Sequence, residues 1–150
     1  MKRTLCLLLA VAALPAFAAG AKYAKPADYR QPIPLNDAEA THVRQEMRVF
    51  LSSVQKILTG AAYNDMKVVA EAATEAGMAA AHQVPPALRE KLPLEFKKLG
   101  HATHEGFDEL ARDAGAMADP ALALKQLSGV MTQCVSCHAT FRIAPAGRTP

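Results

Sequence analysis

From position 37 onward, apolar residues recur at spacings of three and four with polar residues between them. Val43, Met47, Phe50, Val54 and Ile57 form one such stripe, the pattern of a helix that buries one face. Asn36 or Asp37 can cap its start, and Gly60 suits its end. A second helix is predicted over 62–83, with Met66, Val69, Ala73, Ala76 and Ala80 on one side. Its alanines let a neighbour approach closely. Pro85 and Pro86 stop it, and the stretch 87–93 can form one short turn. A third helix is predicted over 94–117, turning Leu99, Gly106, Phe107, Leu110 and Ala114 inward. Asp119 at the cap and Pro120 in the first turn open a fourth. It carries Leu124, Leu127, Met131, Cys134 and Phe141. No alternating strand pattern and no internal repeat stands out.

Four helices of this length with short connections predict an all-α fold, an antiparallel up-down-up-down four-helix bundle. The chain has 150 residues, enough for one domain with a modest core. There is no Trp and few aromatics, so the polypeptide alone makes a thin core. The small residues of the second helix leave room for something bulky between helices.

The first 36 residues read differently. Lys2 and Arg3 precede an apolar run from Leu5 to Leu14, and Ala16, Phe17 and Ala18 follow. That is the layout of a secretory signal peptide over 1–18, and the run is shorter than the roughly 20 residues that a bilayer needs. Residues 19–36 hold Pro26, Pro32 and Pro34 and few large apolar residues, which predicts an extended leader that lies on the surface or is disordered. The helical domain is then 37–150. Loss of Lys2 and Arg3 takes the basic residues from 17 to 15 against 14 acidic, and the formal charge from +3 to +1. No basic block remains, so nucleic acid is not an expected partner, and nothing in the mature chain spans a membrane. The expected compartment is the periplasm.

Of three cysteines, Cys6 lies in the signal segment, leaving Cys134 and Cys137. An oxidising compartment would tend to join a bare pair, so something must claim them. Cys134, Cys137 and His138 form Cys-x-x-Cys-His, the attachment signal of c-type haem. Two thiols three residues apart on a helix can add to the two vinyl groups on one porphyrin edge, and the adjacent histidine reaches the iron. A redox dithiol expects a βαβ context. Zinc expects four ligands, usually from a second pair at close spacing. Neither is found, and one covalently attached haem c is the expected cofactor.

After His138 there is no further Met or His, so any ligand on the opposite side of the iron comes from upstream. Met131 lies seven residues earlier on the same helix and cannot cross. Met66 and Met117 belong at the far end of the bundle. His42, Met47, Met78, His82, His101 and His104 remain. Met78 falls opposite the alanine stripe, His82 sits at a frayed helix end, and His101 and His104 flank the apolar stripe of the third helix. His42 is on a polar flank, although its height along the bundle suits His138. Met47 lies on the inward stripe, where packing is its alternative role, and is the expected ligand. Arg142, four residues after His138, can offer its charge to a haem propionate or its edge to that histidine; a solvated arginine is the other reading. Phe141 is expected to pack against the porphyrin.

The stretch Cys134–Arg142, "CVSCHATFR", so late in a four-helix exported chain, resembles the class II cytochromes c, the cytochrome c-prime superfamily. The likeness covers roughly 38–143, and Cys134, Cys137, His138 and Arg142 match its attachment motif. The resemblance implies one of two branches. In one, a methionine from the first helix fills the sixth iron position and the protein transfers electrons to redox partner proteins; Met47 stands where that branch places its ligand. In the other, the position is open behind an apolar residue and binds NO or CO. Many members are dimers through their first two helices, which nothing in this sequence decides. No acid/base constellation or oriented nucleophile is apparent, so no enzyme activity is expected.

Overall fold

The computed structural model describes residues 27–147; the expected signal segment 1–18, the first part of the expected leader (19–26) and residues 148–150 lie outside the described residues. The chain is mostly helical. A strand β1 (Gln31–Leu35) precedes the long helix α1 (Asp37–Ala62). Then come α2 (Met66–Glu75), the single turn α3 (Met78–Ala81), α4 (Pro86–Lys91), α5 (Leu94–Met117), α6 (Pro120–Thr140) and a strand β2 (Phe141–Pro145). Helix α1 packs against α2 and α6, and α5 against α2 and α6. Their contact encloses a core of Phe50, Ile57, Val69, Ala73, Ala76, Phe107, Leu110 and Leu127. Phe50 and Phe107 stack at 5.8 Å between ring centroids. No helix among the described residues is long and apolar enough to cross a membrane.

Caps account for several boundaries. Asn36 starts α1 with a reciprocal pair: its side chain accepts from Glu39 N at 2.9 Å, and the Glu39 carboxylate accepts from Asn36 N at 3.0 Å. This satisfies two amide donors that a helix start leaves free. Asp119 does the same for α6 by accepting from Ala121 N and Leu122 N, with Pro120 in the first turn as expected. Gly60 does not end α1, which runs on to Ala62. A Cβ there would lie 2.8 Å from Val69 Cγ2, so glycine lets the start of α2 fold back onto α1.

The single helix expected over 62–83 is broken. It stops at Glu75, and Ala76 and Gly77 separate α2 from α3. The side chain of Asp108 on α5 enters the break and accepts from Met78 N at 3.1 Å, capping the next turn from outside. A Cβ on Gly77 would collide with that carboxylate. The apolar stripe of α6 is also rotated from the expected one. Ala123, Leu127 and Val130 are buried, whereas Leu124 and Met131 are each 43 % exposed. They line an apolar groove with Leu58 and Val135.

No strand was expected, yet β1 and β2 pair in parallel, with Ile33 opposite Ile143. In β1, Pro32 and Pro34 face outward while Ile33 and Leu35 are each 2 % exposed. Prolines are tolerated on an edge strand because the ladder there does not need their missing N–H. Residues 31–35, expected to lie in a surface leader, form this strand instead, and Ile33 and Leu35 join a second apolar cluster with Val43, Leu88, Leu92 and Phe141.

Candidate haem site

Helix α6 presents its two thiols from the same side, three residues apart, because 3.6 residues make one turn. Cys134 and Cys137 are half-buried free thiols. Burial pushes both above their ordinary pKa, and for Cys137 the neighbouring Cys134 adds to the shift. Both thiols therefore stay protonated at neutral pH and keep company with apolar side chains. His138 is exposed, in the last turn of α6.

Cys134, Cys137 and His138 line one small cavity of about 50 Å³ with Glu46, Met47 and Phe50 of α1 and Phe96, Leu99, Gly100, Thr103 and His104 of α5. Met47, expected from the sequence to face this motif, is on its wall and half-buried. His42 and His101 are not. Glu46, Phe96, Gly100 and His104 also line a larger cleft of about 510 Å³ that reaches Met78, His82, Arg89, Lys97 and Lys98. A side chain added at Gly100 would meet nothing within 4 Å, so the α5 wall has open space where the two cavities adjoin. Thiols, histidine, thioether and apolar rings are the donor types that a c-type haem takes, and the open wall at Gly100 joins their small cavity to the larger cleft. The cationic side chains of the larger cleft suit acidic substituents.

The other two expected residues lie behind this wall. Helix α6 ends at Thr140, so Phe141 and Arg142 belong to β2 and not to a further helical turn. Phe141 is buried and meets Phe96 edge-on at 5.6 Å. It touches the site through Phe96, which lines the cavity, and is not itself on that wall. The Nε of Arg142 is buried without a hydrogen-bond partner and stands 3.8 Å from the Asp28 carboxylate. Asp28 is held in turn by Arg30 at 2.7 Å, and Arg30 donates to the main-chain oxygen of His138 at 3.3 Å. The side-chain hydrogen bond from Arg30, reinforced by the charges of Arg30 and Arg142, holds the Asp28 carboxyl well below the usual carboxylate range. Arg142 thus belongs to a charged chain leading to His138 from behind.

His104 is more deeply placed than its position on the flank of an apolar stripe suggested. It is 4 % exposed, its ring packs against Phe50 at 5.0 Å, and Nδ1 lies 2.7 Å from Ala76 O. Nε2 faces Glu46 Oε1 at 3.4 Å. Burial alone would lower its pKa, but Glu46 and the Ala76 carbonyl outweigh burial, and the net shift is upward. The sequence signal for this residue was present in its spacing: His104 lies three residues before Phe107, one turn away on the same helix face.

Comparison with protein-family models, with curated proteins and with solved structures gives no match.

Proposed function

We propose that this chain is an exported c-type cytochrome that carries electrons in the periplasm. In this reading Cys134 and Cys137 would hold one haem c through thioether bonds, and His138 and Met47 would supply the ligands to its iron. The observation that carries it is the convergence of Cys134, Cys137, His138 and Met47, drawn from two helices, on one cavity. Pairwise packing of α1, α2, α5 and α6 around one core supports the antiparallel four-helix bundle, with the cavity between α1, α5 and α6. The resemblance of Cys134–Arg142 to the class II cytochrome c motif points the same way.

When bound, the haem supplies one-electron chemistry, and a methionine ligand raises its potential relative to two histidines. The protein's own contribution is placement and environment. Helix α6 spaces the thiols, and the chain from Arg142 through Asp28 and Arg30 to the His138 carbonyl orients the end of that helix. Phe50, Leu99 and Phe96 line the cavity and would keep water from the haem, and Phe141 backs Phe96. Arg89, Lys97 and Lys98 offer positive charge to propionates. Electrons pass to other redox proteins, and no catalytic step is assigned to the chain.

The test is expression with a c-haem maturation system in an exporting host. The expected product carries the mass of one haem and gives a low-spin ferrous spectrum that carbon monoxide leaves unchanged. Replacing both Cys134 and Cys137 with Ser abolishes covalent attachment. A matured wild-type chain without haem removes the cytochrome reading. A high-spin haem protein that binds carbon monoxide replaces the electron carrier with a five-coordinate gas binder of the c-prime type.

A further inference from the structure

His104 is a buried imidazole on the wall of the same cavity as Met47 and His138. One of its two nitrogens is committed. A carbonyl oxygen only accepts hydrogen bonds, so contact with Ala76 O at 2.7 Å fixes the hydrogen on Nδ1 in either protonation state. The helix break at Gly77 makes this contact available, because an unbroken helix would use the Ala76 carbonyl for its own ladder. In the neutral ring, Nε2 is then the nitrogen with a usable lone pair. Its neighbour Glu46 Oε1 stands at 3.4 Å, longer than a good hydrogen bond, and the Glu46 side chain is partly exposed and can swing to solvent. Histidines that bind metals characteristically donate their other N–H to a carbonyl or carboxylate, which sets tautomer and ring orientation. His104 is pre-arranged in that way.

We infer that His104, through Nε2, is a second sixth-ligand donor to the haem iron, able to take the position opposite His138 when Met47 is removed or displaced. The inference rests on the haem reading above. The exchange breaks an iron–sulfur bond and forms an iron–nitrogen bond with no electron transferred; any proton on Nε2 leaves to Glu46 or water. His42, whose height along the bundle suits His138, lies off the cavity wall, whereas His104 is on it.

The experiment uses the full haem-loaded chain and three variants: Met47→Ala, His104→Gln, and both together. Glutamine retains an amide donor for Ala76 O. Mass spectrometry of the wild type is read first, and absence of haem removes the cytochrome reading and this inference with it. With haem present, Met47→Ala is expected to stay low-spin and unreactive to carbon monoxide, with its potential shifted downward as methionine gives way to imidazole. The double variant is expected to turn high-spin and bind carbon monoxide. A high-spin Met47→Ala protein overturns the role of His104 while leaving the cytochrome reading intact. A double variant that remains low-spin also overturns it, since the ligand must then come from elsewhere. Circular dichroism verifies that each variant is folded; if the glutamine pair is not, Met47→Ala with His104→Phe fills the ring volume without a nitrogen and is read the same way.

Discussion

The guanidinium of Arg30 donates to the main-chain oxygen of His138 at 3.3 Å, across 108 residues of sequence. It thereby satisfies a carbonyl in the last turn of α6, where no helical partner is available, and brings positive charge to the negative end of the helix. Arg30→Ala removes this cap and leaves Asp28 without its closest cation. The expected outcome is faster amide hydrogen exchange in 31–35 and 141–145, with exchange around Phe107 unchanged. Equal exchange in both regions would show that Arg30 does not secure this end.

Glu39 joins the start of α1 to α4: it accepts from Asn36 N, and Lys91 Nζ lies 2.5 Å from its other oxygen. Lys91 first, and then the Asn36 amide, lower its pKa. A depressed carboxylate pKa stabilises the fold above the unfolded value of about 4.3, and that contribution is lost as pH falls through the folded value. The thermal midpoints of wild type and Glu39→Gln should therefore differ at neutral pH and converge in acid below the ordinary carboxylate range. A difference that persists at the acid end would contradict the assignment.

Gly106 lies where α5 meets α6, and a Cβ there would stand 2.7 Å from Val130 Cγ2. Gly106→Ala gains about 1 kcal/mol of helix propensity, but overpacking a full core costs about 1–3 kcal/mol. The net expectation is destabilisation. Adding Val130→Ala relieves the clash, so a double-mutant cycle in urea should return a coupling of about 0.5–3 kcal/mol in favour of the pair. Additive effects would mean that the helices do not meet at this point.

Phe107 is fully buried and stacks on Phe50. Truncation to alanine is expected to cost about 3–5 kcal/mol, a large share of the roughly 5–15 kcal/mol that holds a small domain folded. Urea unfolding of the variant tests this through its midpoint. Because Phe50 also packs on His104, the same substitution should loosen the wall of the cavity.

Long periodic segments were legible in the sequence. Helix α5 occupies the predicted range, with Phe107 and Leu110 inward, because its stripe and the flanking prolines agree. Asn36 and Asp119 were readable as caps for the same local reason. The break at Gly77 was less so, since it depends on Asp108 arriving from another helix. The rotation of α6 escaped because Leu124 and Met131 fit a stripe as well as Ala123 and Val130 do. Leucine and methionine outweigh alanine in a count of apolar residues, but α5 approaches the smaller side. The strand β1 was hidden by its own prolines, although Ile33 and Leu35 keep the two-residue period. At the site, the motif residues were legible from chemistry alone. The inward face of His104 was signalled by its spacing to Phe107, but its anchoring was not, because that comes from the carbonyl freed at Ala76.

The pairing of β1 with β2 also orders events in time. A contact between chain segments this far apart must close a very long loop, and loop closure of that kind comes after local helix formation. The strand pair is therefore expected to lock last, once α1, α5 and α6 have met. Until then the tail of α6 is a free end carrying two thiols and a histidine, open to whatever modifies it. Pulse-labelled hydrogen exchange during refolding would register this as late protection of Ile33 and Ile143 relative to Phe107.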